Sequence, residues 1–342
     1  MVDRNKTLGF RFRHVKGPLF ARQLGQCLIV EVVDENHCPY DCVYCPLGPT
    51  RNKSMTPREF AAIDQIKEEV KRKLHFKQQL DFVVLTGQGE PTLHQGLTNI
   101  AAWFEAHVHS RIALVTNGAL LHAPHILHGV NRIDQVQLSF DAVDDETFQK
   151  IYRPHPEMRF DAHMRNLLVF RETFRHRLWL QVFLIRRVNL TPERLQKLAR
   201  CIRQLCPDHV LLSIGPLPAC PDYRNGISTE DRKALVRYIS EATGVLTEFD
   251  DLHDGALLSP RQREAFALLE RREFSLHMLA QNLSCTTAET RALLAPLLDA
   301  GAIHSRTVQN EPYYYLCHDW CRPSLKYQRI REEELPEIDF KL

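Results

Sequence analysis

Cys38, Cys42 and Cys45 stand in the run His37-Cys38-Pro39-Tyr40-Asp41-Cys42-Val43-Tyr44-Cys45-Pro46-Leu47-Gly48, a C-x3-C-x2-C spacing. Cysteine thiolates hold iron–sulfur cubanes, one sulfur to each iron. Three thiolates leave the fourth iron open, and an open iron can take a small chelating molecule. Such a cluster is a reactive centre rather than a plain electron relay. Zinc is the competing occupant, but structural zinc prefers four ligands, often paired C-x2-C knuckles. His37 could supply a fourth donor, though its adjacency to Cys38 makes the geometry poor. A disulfide requires an oxidising compartment.

The elements around this loop must place it. Leu28–Val33 is an apolar run that reads as a buried strand, and barrel enzymes put their chemistry at the C-terminal ends of strands. Further strands are expected at Asp81–Thr86, Arg111–Thr116, Gln135–Phe140, Leu178–Ile185 and His209–Ile214. Amphipathic helices are expected between them at Pro57–Leu74, Leu97–His107, Asp144–Ile151, Ala162–Phe174 and Pro192–Leu205. Pro57 and Pro192 each follow a threonine suited to capping a helix start. Alternating strands and helices predict an α/β fold with parallel strands, curled into an open, partial (β/α)6 barrel.

The expected strand ends carry polar residues. Thr86-Gly87-Gln88-Gly89-Glu90-Pro91 combines two glycines, which let backbone approach a ligand, with a carboxylate suited to an ammonium or a ribose hydroxyl. As a motif alone it is weak, because glycine turns are common after strands. Its weight comes from lying on the strand next to the cysteine loop. Thr116-Asn117-Gly118 is a turn signal in which Asn117 could hydrogen-bond a ligand. Ser139 and Asp141 end the fourth strand, and Asp141 could instead cap the helix at Asp144. Asn189 follows the fifth strand.

The chain has 342 residues, 44% of them hydrophobic, and a formal charge of +2. That length suggests one large domain with a smaller one, and the charge gives no global case for a polyanion partner. No apolar run is long enough for a membrane helix, and the N-terminus lacks the apolar core of a secretion signal. Ten cysteines without such a signal favour a reducing cytoplasm. Cys201, Cys206 and Cys285 lie in helical patterns and read as buried small hydrophobes.

Around Asp250–Gly255 the composition turns to that of a linker. Beyond it, helices are expected at Ser259–Glu270, Ser275–Asn282 and Thr287–Ala300, with Ser275 and Thr287 as N-caps. Ala302–Val308 and Pro312–Leu316 read as a hairpin turning at Gln309-Asn310. Together these predict a small C-terminal winged-helix-like domain. The expected division is residues 1–250 for the barrel, 256–318 for the winged-helix-like module and 319–342 for a charged tail.

The cysteine loop with Tyr44, Gly87-x-Gly89-Glu90-Pro91, Thr116-Asn117-Gly118 and Ser139-Phe140-Asp141-Ala142 resembles the radical S-adenosylmethionine (SAM) superfamily over residues 15–315. The closer likeness is to its wyosine-base-formation-like iron–sulfur oxidoreductases. It is carried by Cys45-Pro46-Leu47-Gly48-Pro49-Thr50, Gly17-Pro18 with Arg22-Gln23-Leu24-Gly25, and Phe148 with Arg153-Pro154. The resemblance implies that Cys38, Cys42 and Cys45 ligate a [4Fe–4S] cluster whose open iron is chelated by SAM. It further implies that Gly87, Gly89 and Glu90 lie along the methionine part, Ser139 and Asn189 contact ribose or carboxylate, Asn117 bonds the ligand and backbone near Tyr44 meets adenine. One electron would cleave SAM, and the 5′-deoxyadenosyl radical would abstract hydrogen from substrate. An electron donor such as flavodoxin or ferredoxin is a further expected partner. No side chain of this chain is assigned as catalytic. The sequence departs from the wyosine enzymes upstream, where Cys27 is the sole cysteine in place of a second cluster. Cys317-x3-Cys321, with Cys220, could contribute to an auxiliary cluster, against the commoner reading of incidental cysteines.

Basic residues gather in three places: Arg171–Arg187, the N-terminal Arg11, Arg13, His14, Lys16 and Arg22, and Arg51, Lys53 and Arg58. Such clusters bind phosphate backbones but are more often solvated faces, so RNA, a peptide or a metabolite all stay open as substrate. The second function class is an iron–sulfur redox sensor that binds DNA through the winged-helix module. Glu90 and the glycines are superfluous to it, and its recognition helices carry few basic residues beyond Arg291.

Overall fold

The computed structural model describes residues 12–21, 24–74, 80–215, 226–249, 260–269, 274–299, 303–308 and 311–316. An N-terminal strand β1 (Val15–Ala21) runs antiparallel to β2 (Gly25–Val33). After β2 the chain makes a loop whose two short strands, β3 (His37–Cys38) and β4 (Asn52–Lys53), pair with each other. Then follow α1 (Ile63–Lys73), β5 (Phe82–Gly87), α2 (Leu97–His107), β6 (Arg111–Thr116), the single turn α3 (Pro124–Leu127) and β7 (Gln135–Ser139). The unit continues through α4 (Asp145–Tyr152), α5 (Phe160–Thr173), β8 (Arg177–Phe183), α6 (Pro192–Leu205), β9 (His209–Ser213), α7 (Thr229–Thr243) and β10 (Thr247–Phe249).

The main sheet has the order β1-β2-β5-β6-β7-β8-β9-β10, parallel throughout except for β1. Among the described residues its outer strands do not pair with each other, so the sheet is open. Because side chains alternate across a strand, each strand serves two environments. Val30, Val83, Leu85, Leu114, Val136, Leu180 and Val210 join Ile66, Val70, Ile100 and Phe104 of the helices in the principal core. On the opposite face Cys27, Phe82, Val84 and Ala113 form a smaller apolar cluster. Burial on both faces is the usual condition of a parallel sheet, and it explains why its strands read as near-continuous apolar runs.

All six expected strands are present, with ends shifted by up to three residues. Two more flank them. In β1, Gly17-Pro18 breaks the strand pattern, and an edge position tolerates it because the ladder there needs no proline N–H. β10 has only three residues. The helix α7 also lies outside the expected elements, although Leu235, Tyr238, Ile239 and Ala242 repeat at helical spacing. α1 starts at Ile63 after Ala62, not at Pro57, so the Thr56-Pro57 pair caps nothing. Thr191 does cap α6, accepting from Arg194 N, with Pro192 at the first turn. Asp144 and Thr147 close a reciprocal capping box on α4, so Asp141 is not the cap there.

The C-terminal elements are α8 (Pro260–Leu269), β11 (Phe274–Ser275), α9 (Leu276–Asn282), α10 (Thr287–Asp299), β12 (Ile303–Val308) and β13 (Glu311–Leu316). The strands form a separate antiparallel sheet, β11-β13-β12. Ala265, Leu269, Phe274, Leu279, Leu294, Ile303 and Tyr314 make a core of their own. Ser275 caps α9 by accepting from Met278 N. At α10 the cap is Thr286 rather than Thr287: its hydroxyl accepts from Glu289 N at 3.2 Å and its N–H donates to Glu289 Oε2 at 2.8 Å. Cys206 is exposed, at the left-handed end of α6, and Cys285 is half-buried, so only Cys201 of that trio is a buried thiol. The 250–255 linker, the Gln309-Asn310 turn, the 319–342 tail and Cys220, Cys317 and Cys321 lie outside the described residues.

Candidate metal centre

The cysteine loop is moored at both ends and through its middle. Gln88 N donates to Val33 O at 2.7 Å and Glu90 N to His37 O at 2.9 Å, tying it to the turn after β5. Asp41 N and Val43 N donate to Tyr152 O and Ile151 O at 2.8 and 3.0 Å, tying it to the end of α4. Thr50 closes the loop on itself, its N–H to Asp41 Oδ1 at 2.8 Å and its hydroxyl to Tyr40 O at 2.6 Å. Tyr40 is the anchor: it is fully buried, stacks on Tyr152 at 4.8 Å and meets Phe148 edge-on. Its hydroxyl lies 3.3 Å from His163 Nδ1. A buried aromatic of this kind contributes roughly 1.5–3 kcal/mol by transfer from water, enough to hold an otherwise irregular loop.

The two glycines after β5 serve this same packing. A Cβ on Gly89 would stand 1.9 Å from His37 O, and one on Gly87 would stand 2.9 Å from Val33 O. The close approach they permit is therefore to the cysteine loop's own backbone. Glu90 is buried with four donors upon it. Oε1 accepts from Thr92 N at 3.0 Å, from the Thr92 hydroxyl at 2.6 Å and from the Thr116 hydroxyl, while Oε2 accepts from Asn117 N at 2.9 Å. Burial raises the Glu90 pKa above its ordinary value, and the hydrogen bonds from Thr116, Thr92 and Asn117 oppose that rise. The carboxylate thus clamps the ends of β5 and β6 together.

Asn117 faces the cysteines. Its side-chain N–H donates to Cys38 Sγ at 3.2 Å, and its Oδ1 accepts from Ala119 N at 2.9 Å. Tyr44 stacks on Phe183 at 4.6 Å, and its hydroxyl donates to Asp141. Asp141 is buried and also accepts from Phe183 N at 2.6 Å. Burial pushes its pKa up to about 7 against the hydrogen bonds from Tyr44, Phe183 and Tyr152. Asn189 is buried, donating to Asp141 O at 2.9 Å and Phe183 O at 2.8 Å and accepting from Ile185 N at 2.6 Å, so both its amide hydrogens are engaged within the chain. Ser139 is half-buried at the end of β7.

Cys38, Cys42 and Cys45 are free, half-buried thiols. Burial raises the Cys38 and Cys42 pKa values well above the ordinary range. The Glu90 carboxylate adds to the rise at Cys38, Cys38 and Asp141 add to it at Cys42, and Cys45 adds to both. At Cys38 and Cys42 thiolates are therefore disfavoured unless a metal compensates them. A cubane takes one thiolate per iron. Three thiols on one loop, with Asn117 supplying an N–H to one sulfur, fit an iron–sulfur cubane. Thr92, Tyr152, His163 and Phe183, which shape the centre, carry no local motif, and the Thr116-Asn117-Gly118 turn signal gives Thr116 no role of its own. Their roles arise from contacts far apart in sequence.

A family model described as the Radical SAM superfamily matches residues 34–202. A protein named GTPase Obg from Brachyspira hyodysenteriae is 25% identical over 312 residues, covering 90% of this chain and 46% of that protein. A UPF0026 protein of Methanocaldococcus jannaschii is 27% identical over 209 residues, covering 60% of this chain and 65% of that one. The chain thus spans less than two thirds of the length of either relative. Among solved structures, a radical SAM methyltransferase from Sphaerobacter thermophilus aligns with a TM-score of 0.48 at 20% identity, covering 65% of each chain. Streptococcus suis SuiB bound to S-adenosylmethionine aligns with a TM-score of 0.48 at 15% identity, over 64% of this chain and 50% of that one.

Proposed function

The chain belongs to the radical SAM superfamily, and on that premise we propose that it cleaves S-adenosylmethionine reductively and abstracts hydrogen from a substrate. Cys38, Cys42 and Cys45 would hold the [4Fe–4S] cluster, and its open iron would take the amino and carboxylate groups of SAM. When bound, the cluster supplies the electron that breaks the sulfonium bond. The observation that carries this reading is a trio of thiols held at a parallel strand end by the Tyr40 anchor, with a side-chain N–H on one of the sulfurs.

In this reading the chain's own residues position and enclose. Glu90 fixes the β5 and β6 ends, and through them Asn117 against Cys38. The free lone pair of Glu90 Oε2 is the site we assign to the SAM ammonium. Ser139 is the candidate contact for ribose or carboxylate, and Asn189 acts by shaping the turn after β8. Tyr44 presents its loop backbone to adenine, and Gly87 and Gly89 line the methionine side.

The C-terminal unit is proposed as a winged-helix-like module, supported by its helix–strand–helix–helix–hairpin order and by the pairing of β11 with β13. We divide the chain accordingly into residues 1–250, 256–318 and a tail at 319–342. The finer likeness to the wyosine-like oxidoreductases rests on the motif residues alone. An RNA or peptide substrate and a flavodoxin or ferredoxin donor belong to the same proposal. So does a cytoplasmic setting, supported by the free thiols among the described residues. No described helix is long and apolar enough to cross a membrane.

The test is anaerobic reconstitution with iron and sulfide, reduction with dithionite, addition of SAM and chromatography for 5′-deoxyadenosine. Product that depends on reductant and on all three cysteines is expected. A fully loaded cluster that leaves SAM intact would overturn the reading.

A further inference from the structure

The edge of the main sheet opposite the cysteine loop carries a second concavity. Arg111 and Arg177 are the first residues of β6 and β8, whereas the cysteine loop follows the last residue of β2, a parallel neighbour in the same sheet. Between these strand starts lies a cavity of about 420 Å³ whose lining includes Arg111, Arg171, Arg175, His176 and Arg177. The 171–187 run therefore supplies four of the basic residues, and Arg111 arrives from sixty residues earlier by strand pairing.

Two features make this more than a solvated basic face. Arg171 is fixed by three backbone carbonyls, those of Phe174 at 3.2 Å, His176 at 3.3 Å and Cys206 at 3.1 Å. It is pre-organised rather than free in solvent. The second feature is the fate of the two carboxylates in the lining. Asp134 and Asp208, just before β7 and β9, accept from Ile112 N at 2.7 Å and Leu178 N at 2.8 Å at the starts of β6 and β8. The ion pairs formed by arginines among the described residues involve none of the four guanidiniums here. Four guanidiniums against two carboxylates leave a surplus of positive charge in a concave setting, where fields are focused.

We propose that this cavity is an anion site for two or more linked phosphates, distinct from the metal centre. Guanidinium forks match phosphate oxygens in paired hydrogen bonds, several converge here, and the volume exceeds what one phosphate fills. Phe82 is already covered by Arg111, whose guanidinium lies 4.2 Å from its ring centre. The lining therefore offers phosphate recognition chiefly through its guanidiniums, with His176 as its one other ring. The same chemistry is presented by a free polyphosphate compound and by an RNA backbone.

The experiment uses the full chain and inorganic triphosphate, read by isothermal titration at low salt. The variants are Arg175→Ala/Arg177→Ala and, as a charge-matched control on α1, Lys71→Ala/Arg72→Ala. Binding by the native chain is expected, weakened by about tenfold or more in the first variant and unchanged in the control. An RNA oligonucleotide is then added as competitor. Displacement of triphosphate identifies a nucleic-acid backbone as the ligand, and its failure identifies a free polyphosphate compound. Absence of triphosphate binding, or an equal loss in both variants, would overturn the proposal. The readout involves neither cluster nor SAM, so it is independent of the outcome at the metal centre.

Discussion

Glu90→Gln separates two roles that one carboxylate can have. The amide oxygen keeps the three donors on Oε1, but the amide nitrogen then faces Asn117 N, 2.9 Å from the former Oε2. A donor meets a donor, and a backbone N–H loses its acceptor, which costs roughly 1–3 kcal/mol. The three retained bonds lose their charge assistance, which is worth about half of their strength. Burial of a neutral group instead of a carboxylate offsets part of this, as the raised pKa of Glu90 indicates. A net loss of about 2 kcal/mol follows, equivalent to a fall of about 4–8 °C in Tm for a domain of this size. Thermal melting followed by circular dichroism on cluster-free protein measures it, and SAM affinity is measured separately on loaded protein. An unaltered Tm accompanied by weaker SAM binding would refute the clamp, leaving Glu90 as a ligand contact alone. Glu90→Ala, which leaves the Thr92 and Asn117 amides without their acceptor, is expected to fall further.

Cys42→Ala should abolish both the visible absorbance of the cluster and SAM cleavage, and absorption spectroscopy of the reconstituted variant checks the first directly. Asn117→Ala removes the N–H donated to Cys38 Sγ. Hydrogen bonds to sulfur help set cluster potentials by stabilising the electron-rich form, so the midpoint in an EPR-monitored redox titration should move to more negative values. An unmoved potential would show that the contact is electronically silent. Burial pushes His163 down to about 3, with the charge of His122 adding to the effect, and burial pushes His209 down to about 4. Both pKa values are depressed on folding, so the stability tied to each neutral ring is present above pH 6.5 and is lost as pH falls toward the folded value. His163→Gln or His209→Gln should flatten the loss of stability between pH 6.5 and 4 by up to about 1.4 kcal/mol per pH unit each, read from denaturant midpoints at several pH values.

Much of this was legible in the chain itself. The C-x3-C-x2-C spacing marks its donors whatever the fold, and most of the six expected parallel strands announce themselves as apolar runs, although β7 alternates Gln135 and Gln137 with Val136 and Leu138. Thr191-Pro192 and Asp144 mark helix starts through bonds that span three residues. Where local signals were mixed, the reading failed. Gly17-Pro18 hid an edge strand, and Thr56-Pro57 promised a cap that α1 does not use.

Other features have no local signature at all. Glu90 reads as a ligand carboxylate in sequence, yet its partners include Thr116 and Asn117 from the next strand. Asn117 meets a cysteine 79 positions away, and Arg111 joins the basic run after residue 171 only across two strand pairings. Sequence alone determined the donors, the periodicities and the class of fold, because those depend on residue chemistry and on spacings of two to four residues. The tertiary structure decided which polar groups satisfy one another and which stay unpaired, because register and packing between distant strands set the distances over which hydrogen bonds and charges act.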